Sequence, residues 1–122
     1  MTTRVVGIGG IFLKAKDPKT LSAWYRDHLG IPVEAWGGGM FKAKEGDPTV
    51  WNLFPATTKY FEPSSGPVMV NYRVADLHRL LGQLRAEGCD VMEKVDESEF
   101  GKFGWVVDPE GNKIELWEPP KE

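Results

Sequence analysis

A single carboxylate stands inside a short apolar strand near the C-terminal end of the chain. The segment GWVVDPEGNKIELWEPP carries Glu115 between two aliphatic residues. Because successive side chains of a strand point to opposite faces, Glu115 shares a face with Lys113 and Trp117, while Ile114 and Leu116 share the other face. The function of Glu115 therefore depends on what its own face of the sheet contacts.

A carboxylate in that position has three possible roles. Glu115 can be neutralised by Arg73 or Lys113 on a solvated sheet face, which is a weak structural pair. It can accept a hydrogen bond from a bound ligand or act as a general acid or base in a cleft. It can also bind a metal ion. The residues alone leave all three roles open, and Glu115 is the one candidate catalytic residue.

Cations and aromatic residues extend the set of candidate site residues. Lys14 and Arg73 each lie three residues before a predicted helix cap, where they could bind a carboxylate or phenolate of a ligand or remain solvated at a sheet edge. Asn71 could orient a ligand carbonyl or bond to the backbone. Four of the five tryptophans fall on or beside predicted strands, and any that faces a cleft could stack on a flat or cationic ligand; they are Trp36, Trp51, Trp105 and Trp117.

The composition excludes several classes of function. The 122 residues include 15 basic and 18 acidic residues, with a formal net charge of -3 and no basic stripe, so we expect neither a nucleic-acid nor a membrane partner. MTTRVVGIGG lacks an apolar signal core and no stretch could cross a bilayer, which predicts a soluble cytoplasmic protein. Cys89 is the only cysteine, so an intrachain disulfide is impossible.

The elements that must position these residues occur twice. Asp17 and Pro18 begin a predicted helix that ends at Gly30, and Asp76 begins a second that ends at Gly88. Each helix follows one predicted strand and precedes three more. The predicted strands cover residues 8–16, 33–35, 39–43 and 49–54 in the first half and residues 68–74, 90–95, 102–107 and 112–117 in the second. We therefore predict a single domain of residues 1–122, with half-modules at about 5–55 and 67–119 and a linker at 56–66.

Two helices can cover only one face of such a sheet. The alternation in each strand predicts which side chains share the opposite, helix-free face, and they are Phe12, Lys14, Met69, Asn71, Arg73, Glu115 and Trp117. Polar groups among large aromatic and thioether side chains are typical of a small-molecule cleft. A strong twist would curl the sheet into a cup with this face inside.

The duplicated pattern, with the junctions KAKDP and RVADL, the segment WYRDHLGIPV and the closing DPEGNKIELWEP, resembles the vicinal oxygen chelate superfamily over nearly the whole chain. This is the group of glyoxalase I, bleomycin-resistance proteins, fosfomycin-resistance enzymes and extradiol dioxygenases. The resemblance implies an α+β fold in which two paired βαβββ modules form a curved, eight-stranded mixed sheet, with the helices on the outer face. It also implies a homodimer.

The resemblance also implies where a metal ion would bind. Metal-dependent members carry His, Glu or Gln ligands on inward positions of the first and last strand of each half, and this chain has Gly10, Met69 and Glu115 there, with Trp51 or Asn52 as the fourth. One carboxylate is too few for zinc or magnesium. We therefore expect no cofactor, and a divalent metal held by Glu115 is the alternative.

Two functions remain. The first is a metal-independent homodimer that binds an aromatic or partly anionic metabolite or drug in the cup, in contact with Phe12, Lys14 and the other candidate residues. The second is an enzyme of the glyoxalase or dioxygenase type, a lyase, isomerase or oxygenase, that uses Glu115 as acid or base or as a metal ligand. The small number of potential metal-binding side chains favours the binding protein.

Overall fold

The computed structural model describes residue 4, residues 8–42 and residues 44–121. In this part of the chain two helices and five strands follow one another. They are α1 (Pro18–Leu29), β1 (Asn71–Arg73), α2 (Leu77–Ala86), β2 (Asp90–Val91), β3 (Asp96–Ser98), β4 (Gly101–Val107) and β5 (Lys113–Glu118). The chain thus has a mixed α+β fold with an open sheet and two helices.

Helix α1 begins and ends where its sequence predicts. The side chain of Asp17 accepts a hydrogen bond from the backbone N–H of Thr20 at 3.1 Å, and Pro18 occupies the first turn. At the other end Gly30 adopts a left-handed conformation with φ 67°, which glycine reaches without steric cost.

Helix α2 follows the same plan. Asp76 accepts from the backbone N–H of Arg79 at 3.2 Å, and Leu77, Leu81 and Leu84 are the buried residues of its apolar stripe. The helix ends at Ala86, and the predicted stop residue Gly88 lies just beyond it with φ 81°. Both predicted helix starts are therefore confirmed.

The sheet has the strand order β1-β5-β4-β2, with β3 also pairing with β4. Strands β1 and β5 run parallel, which places Asn71 opposite Glu115 and Arg73 opposite Trp117. Strands β4 and β5 are antiparallel, which places Trp105 opposite Glu115 from the other side. Glu115 is therefore in the central strand of this region, flanked by Asn71 and Trp105.

The hydrophobic core lies between α2 and one face of the sheet. It is formed by Leu77, Leu81, Leu84, Val106, Ile114 and Leu116. Because Ile114 and Leu116 are in this core, the alternation of β5 turns Glu115 to the opposite face, as the sequence predicts. Helix α1 attaches to the same half through the Tyr25 hydroxyl, which donates to Asp108 Oδ2 at 2.8 Å.

The predicted eight-stranded arrangement is not confirmed. All five strands belong to the second half, and the described residues of the first half contain only an isolated bridge between Val33 and Gly39. The first-half segments predicted as strands, together with Trp36 beside them, expose most of their large apolar side chains instead. These are Ile8, Ile11, Phe12, Leu13, Trp36, Met40, Phe41, Val50, Trp51, Leu53 and Phe54. Apart from the bridge between Val33 and Gly39, no described strand pairs with these segments, and an unpaired strand is not stable in water.

Neither of the two helices in the described ranges is both long enough and apolar enough to cross a membrane.

Candidate functional site

The Glu115 carboxylate accepts three side-chain hydrogen bonds on the helix-free face. Asn71 Nδ2 donates to Oε1 at 2.7 Å, while Tyr60 Oη and Trp105 Nε1 donate to Oε2 at 2.5 and 3.0 Å. Only 8% of Glu115 is exposed. A nearly buried carboxylate needs such donors because burial removes the water that would otherwise solvate it. All three donors are neutral groups.

Tyr60 comes from the predicted linker of residues 56–66, and not from a strand of the sheet. Its ring stacks on Phe54 at 5.4 Å between centroids and meets Trp105 edge-on at 6.0 Å. Burial, and then the Glu115 carboxylate, raise the pKa of Tyr60 above its ordinary value. The phenol therefore stays protonated near neutral pH and acts as a hydrogen-bond donor to Glu115.

Lys113 joins the linker to the sheet from the same face. Its Nζ donates to the backbone carbonyl of Tyr60 at 2.6 Å and lies 4.8 Å from the Tyr60 ring centroid and 5.3 Å from that of Trp105. Desolvation lowers the pKa of Lys113. The backbone N–H of Lys113 also donates to Ser64 Oγ of the linker at 2.5 Å. The linker is thereby fixed across the helix-free face.

An open cavity of about 620 Å³ borders this cluster, within the size range of small-molecule sites. Its wall combines aromatic rings and carboxylates. The lining residues are Phe54, Tyr60, Val95, Asp96, Glu97, Ser98, Phe103 and Glu115. Two of the acids have cationic neighbours, because Lys94 Nζ lies 3.7 Å from Asp96 and Lys102 Nζ lies 4.0 Å from Glu97.

The structure brings together some of the predicted site residues. Asn71 and Trp105 contact Glu115 directly. Trp117 stacks on Phe103 of the cavity wall at 6.0 Å, and its Nε1 donates to the Phe100 carbonyl. Met69 is half-buried and precedes Val70, whose carbonyl accepts from the Glu115 backbone N–H at 3.0 Å.

Other predicted site residues lie elsewhere. The Arg73 guanidinium donates to the Pro48 carbonyl and lies 3.8 Å from Asp47, so its partner is the first-half loop rather than Glu115. Lys14 is exposed, and Phe12 and Trp51 are 96% and 73% exposed. Their assignment to the ligand site stays a prediction.

Sequence reasoning did not select Phe54, Tyr60 or Phe103, or the acids Asp96 and Glu97. The sequence contains one indication that Tyr60 does not lie in a solvated loop. The adjacent aromatic pair Tyr60 and Phe61 is unusual in a linker rich in proline and serine, because a solvated loop has no need for such side chains. The acids of the cavity wall are brought together by strand pairing, and no short stretch of sequence around them indicates that they line a cavity.

The residues at the family's metal positions do not fit a metal ion. Gly10 has no side chain, and the thioether of Met69 is a poor ligand for hard or borderline divalent ions. Glu115 is the one carboxylate at these positions, and both of its oxygens already accept hydrogen bonds from neutral side chains. His28 bonds to Glu87 at 2.7 Å and His78 lies 3.5 Å from Glu97, so neither is paired with Glu115.

Comparison with known proteins agrees with this architecture. A family model described as a glyoxalase-like domain matches residues 10–117. The chain belongs to the glyoxalase-like domain family. The resemblance to the vicinal oxygen chelate superfamily is thereby confirmed. No curated protein matches this glyoxalase-like domain.

Several solved structures are similar over nearly the full length of this glyoxalase-like domain. TnmS3, an antibiotic-binding protein from Streptomyces sp. CB03234, is 19% identical, with 98% of this chain and 100% of that chain covered and a TM-score of 0.65. A glyoxylase/bleomycin resistance protein/dioxygenase domain from Frankia sp. EAN1pec is 18% identical, with 96% and 100% covered and a TM-score of 0.61. At these identities the likeness concerns the fold.

The chain spans about half the length of two other similar structures. It covers 47% of a conserved domain protein at 17% identity and 52% of a glyoxalase family protein from Enterococcus faecalis at 25% identity, each with a TM-score of 0.40.

Proposed function

We propose that this glyoxalase-like domain binds a small aromatic molecule in the cavity beside Glu115 and uses no metal ion there. One observation carries the proposal. The Glu115 carboxylate, held by three neutral donors, forms part of the wall of an open cavity together with the rings of Phe54, Tyr60 and Phe103. A fixed hydrogen-bond acceptor among aromatic faces is suited to orienting a flat organic ligand. The antibiotic-binding TnmS3 has the same fold, which supports a binding role.

The charge of the wall favours a ligand with a basic group. Asp96, Glu97 and Glu115 line the cavity. Lys94 and Lys102 lie beside two of these acids but are not among the lining residues, and neither are Lys14 and Arg73. Aromatic faces also attract cations through their quadrupoles. The ligand we propose is therefore an aromatic molecule that is neutral or carries an amine. A partly anionic ligand, which the sequence also allows, would require a cation such as Lys94 or Lys102 to turn from its acidic neighbour toward the cavity.

We propose further that the protein acts as a homodimer. Many large apolar side chains of the first half are exposed, more than isolated surface residues explain, with Phe12 and Leu53 exposed to 96% and 76%. Strand β1 pairs with β5 along one edge, so its other edge is available within the described residues. A second copy would cover the apolar side chains and extend the sheet. Lys14, Phe12 and Trp51 could then reach a cavity from the partner chain.

A matched pair of ligands tests the binding proposal. We would titrate the protein with a naphthyl methylamine and with a naphthoate, which share a ring and differ in charge, and follow tryptophan fluorescence. Trp105 is the expected reporter because its ring meets Tyr60 at the cavity wall. We expect tighter binding of the amine and a loss of about tenfold in Glu115→Gln, equivalent to about 1.4 kcal/mol.

Glu93→Gln is the control, because Glu93 is exposed and does not line the cavity. Circular dichroism would establish that each variant is folded. Equal affinity for both ligands, or an equal effect of the two substitutions, would contradict the proposed site.

An enzyme is the second candidate, favoured by the 2.5 Å hydrogen bond between Tyr60 and Glu115 at the cavity wall. A carboxylate with access to a ligand can act as a general base. Turnover of a glutathione hemithioacetal or a catechol that is lost in Glu115→Gln would support this function. Absence of turnover with saturable binding of the aromatic amine would support the binding protein.

A further inference from the structure

Three potential metal ligands meet where the two helices end, at residues that take no part in the cavity. His28 lies in the last turn of α1, Glu87 is the C-cap of α2, and Cys89 follows two residues later. One ligand atom from each, the His28 and Glu87 atoms and Cys89 Sγ, lies within 4.8 Å of the other two. His28 Nδ1 and Glu87 Oε1 are already 2.7 Å apart.

The position is electrostatically suited to a cation. The C-terminal end of a helix carries a partial negative charge, and here the ends of α1 and α2 converge. A glutamate carboxylate and a cysteine thiolate together carry two negative charges, which neutralise one divalent ion. The neutral imidazole adds a third ligand without adding charge.

The ligand types and their exposure are also suitable. Imidazole nitrogen, thiolate sulfur and carboxylate oxygen are the ligands of zinc and cobalt, whereas magnesium and calcium prefer oxygen. The side chains of His28 and Glu87 are 27% and 44% exposed, so they can rotate and the site is open to solvent. Ligands of one tetrahedral zinc lie roughly 3–4 Å apart, so only small side-chain movements are needed.

We propose that His28, Glu87 and Cys89 form a peripheral site for one zinc-like divalent ion. The ion displaces the thiol hydrogen of Cys89 as a proton and is bound by the resulting thiolate. Binding replaces the present hydrogen bond between His28 Nδ1 and Glu87 Oε1. His28 then binds the ion through Nδ1 with its hydrogen on Nε2, and Glu87 binds it through a carboxylate oxygen. Water completes the coordination. The site is independent of the proposed function, because none of the three residues lines the cavity.

Cobalt provides a direct test because the chain has a single cysteine. We would remove metals from the protein with a chelator and titrate it with Co²⁺. The expected result is a thiolate-to-cobalt charge-transfer band that saturates at one ion per chain and disappears on addition of Zn²⁺. Any such band must come from Cys89. Zn²⁺ should also protect the thiol from a disulfide reagent.

The two histidines give a matched pair of variants. His28→Asn and Glu87→Gln should lower Co²⁺ affinity by at least about tenfold, while His78→Asn should leave it unchanged. Cys89→Ser should abolish the band. Trp24, whose ring lies 5.4 Å from that of His28, should lose fluorescence as Co²⁺ binds. Lack of a saturable band in the folded wild-type protein, or equal effects of His28→Asn and His78→Asn, would overturn the proposal. A failure of the aromatic amine to bind in the cavity would not count against this metal site.

Discussion

Tyr60 donates its phenolic hydrogen to the Glu115 carboxylate at 2.5 Å, although 55 residues separate them in the sequence. This contact turns the linker into part of the cavity wall. It also supplies one of the hydrogen bonds that a carboxylate only 8% exposed needs inside the sheet.

We predict that Tyr60→Phe destabilises the protein by about 1–2 kcal/mol. The substitution removes one hydrogen-bond donor from the nearly buried Glu115 carboxylate. Because Tyr60 itself is partly exposed, we expect a smaller loss of stability than for a fully buried hydrogen bond to a charged group. Urea unfolding measures the change. Tyr72→Phe is the control, because no hydrogen bond of the Tyr72 hydroxyl exists among the described residues, and it should change stability much less. Equal losses in the two variants would show that the contact with Glu115 contributes nothing.

We predict that stability falls above pH 10 and that Tyr25 contributes to the fall. Burial, and then Asp108, raise the pKa of Tyr25 above its ordinary value of 10.0. Above that pH the unfolded chain releases the phenolic proton while the folded chain keeps it, so stability decreases with pH until the folded pKa is passed.

In Tyr25→Phe the free energy of unfolding should therefore fall less steeply with pH above pH 10, by up to about 1.4 kcal/mol per pH unit. Urea unfolding between pH 8 and 11 measures it. The raised pKa values of Tyr60 and Tyr72 and the lowered pKa of Lys113 are present in both proteins and largely cancel in the difference. Parallel slopes for the variant and the wild type would contradict the prediction.

Two glycines should respond in opposite directions to the same substitution. A Cβ at Gly104 would lie 2.9 Å from Leu81 Cδ1 in the core, so Gly104→Ala should destabilise by about 1–3 kcal/mol. A Cβ at Gly82, in the middle of α2, would meet nothing within 4 Å. Gly82→Ala should stabilise by about 0.5–1 kcal/mol through its higher helix propensity. Thermal unfolding compares the two, and a destabilised Gly82→Ala variant would show that this helix face is covered.

We predict that Phe12→Asp shifts the protein from dimer to monomer in sedimentation experiments. Phe12 belongs to the exposed apolar surface of the first half, and a charge there would oppose its burial against a second copy. Phe100→Asp is the matched control, since Phe100 is 66% exposed but lies in the second half. A wild-type protein that is monomeric at micromolar concentration, or equal dissociation of both variants, would exclude the proposed dimer surface.

Local signals predicted both helices and the core face of the last strand. The capping residues Asp17 and Asp76 mark helix starts because capping is decided within a few residues of the chain. The alternation of β5 placed Ile114 and Leu116 in the core and Glu115 on the other face, because the strand period is a property of the backbone. The same signals in the first half predicted strands that are not present among its described residues, since a strand forms only when another strand pairs with it.

Short sequence patterns were sufficient to predict the two capped helices, the core face of the last strand, the candidate carboxylate and the likeness to the family. Which groups contact that carboxylate depends on how distant segments pack together. The path of the linker brings Tyr60 to Glu115 and leaves Arg73 with Asp47, and the convergence of two helix ends brings Cys89 to His28. Caps and alternation depend on neighbours in the chain, whereas these contacts depend on strand order and loop path, which no short stretch of sequence encodes.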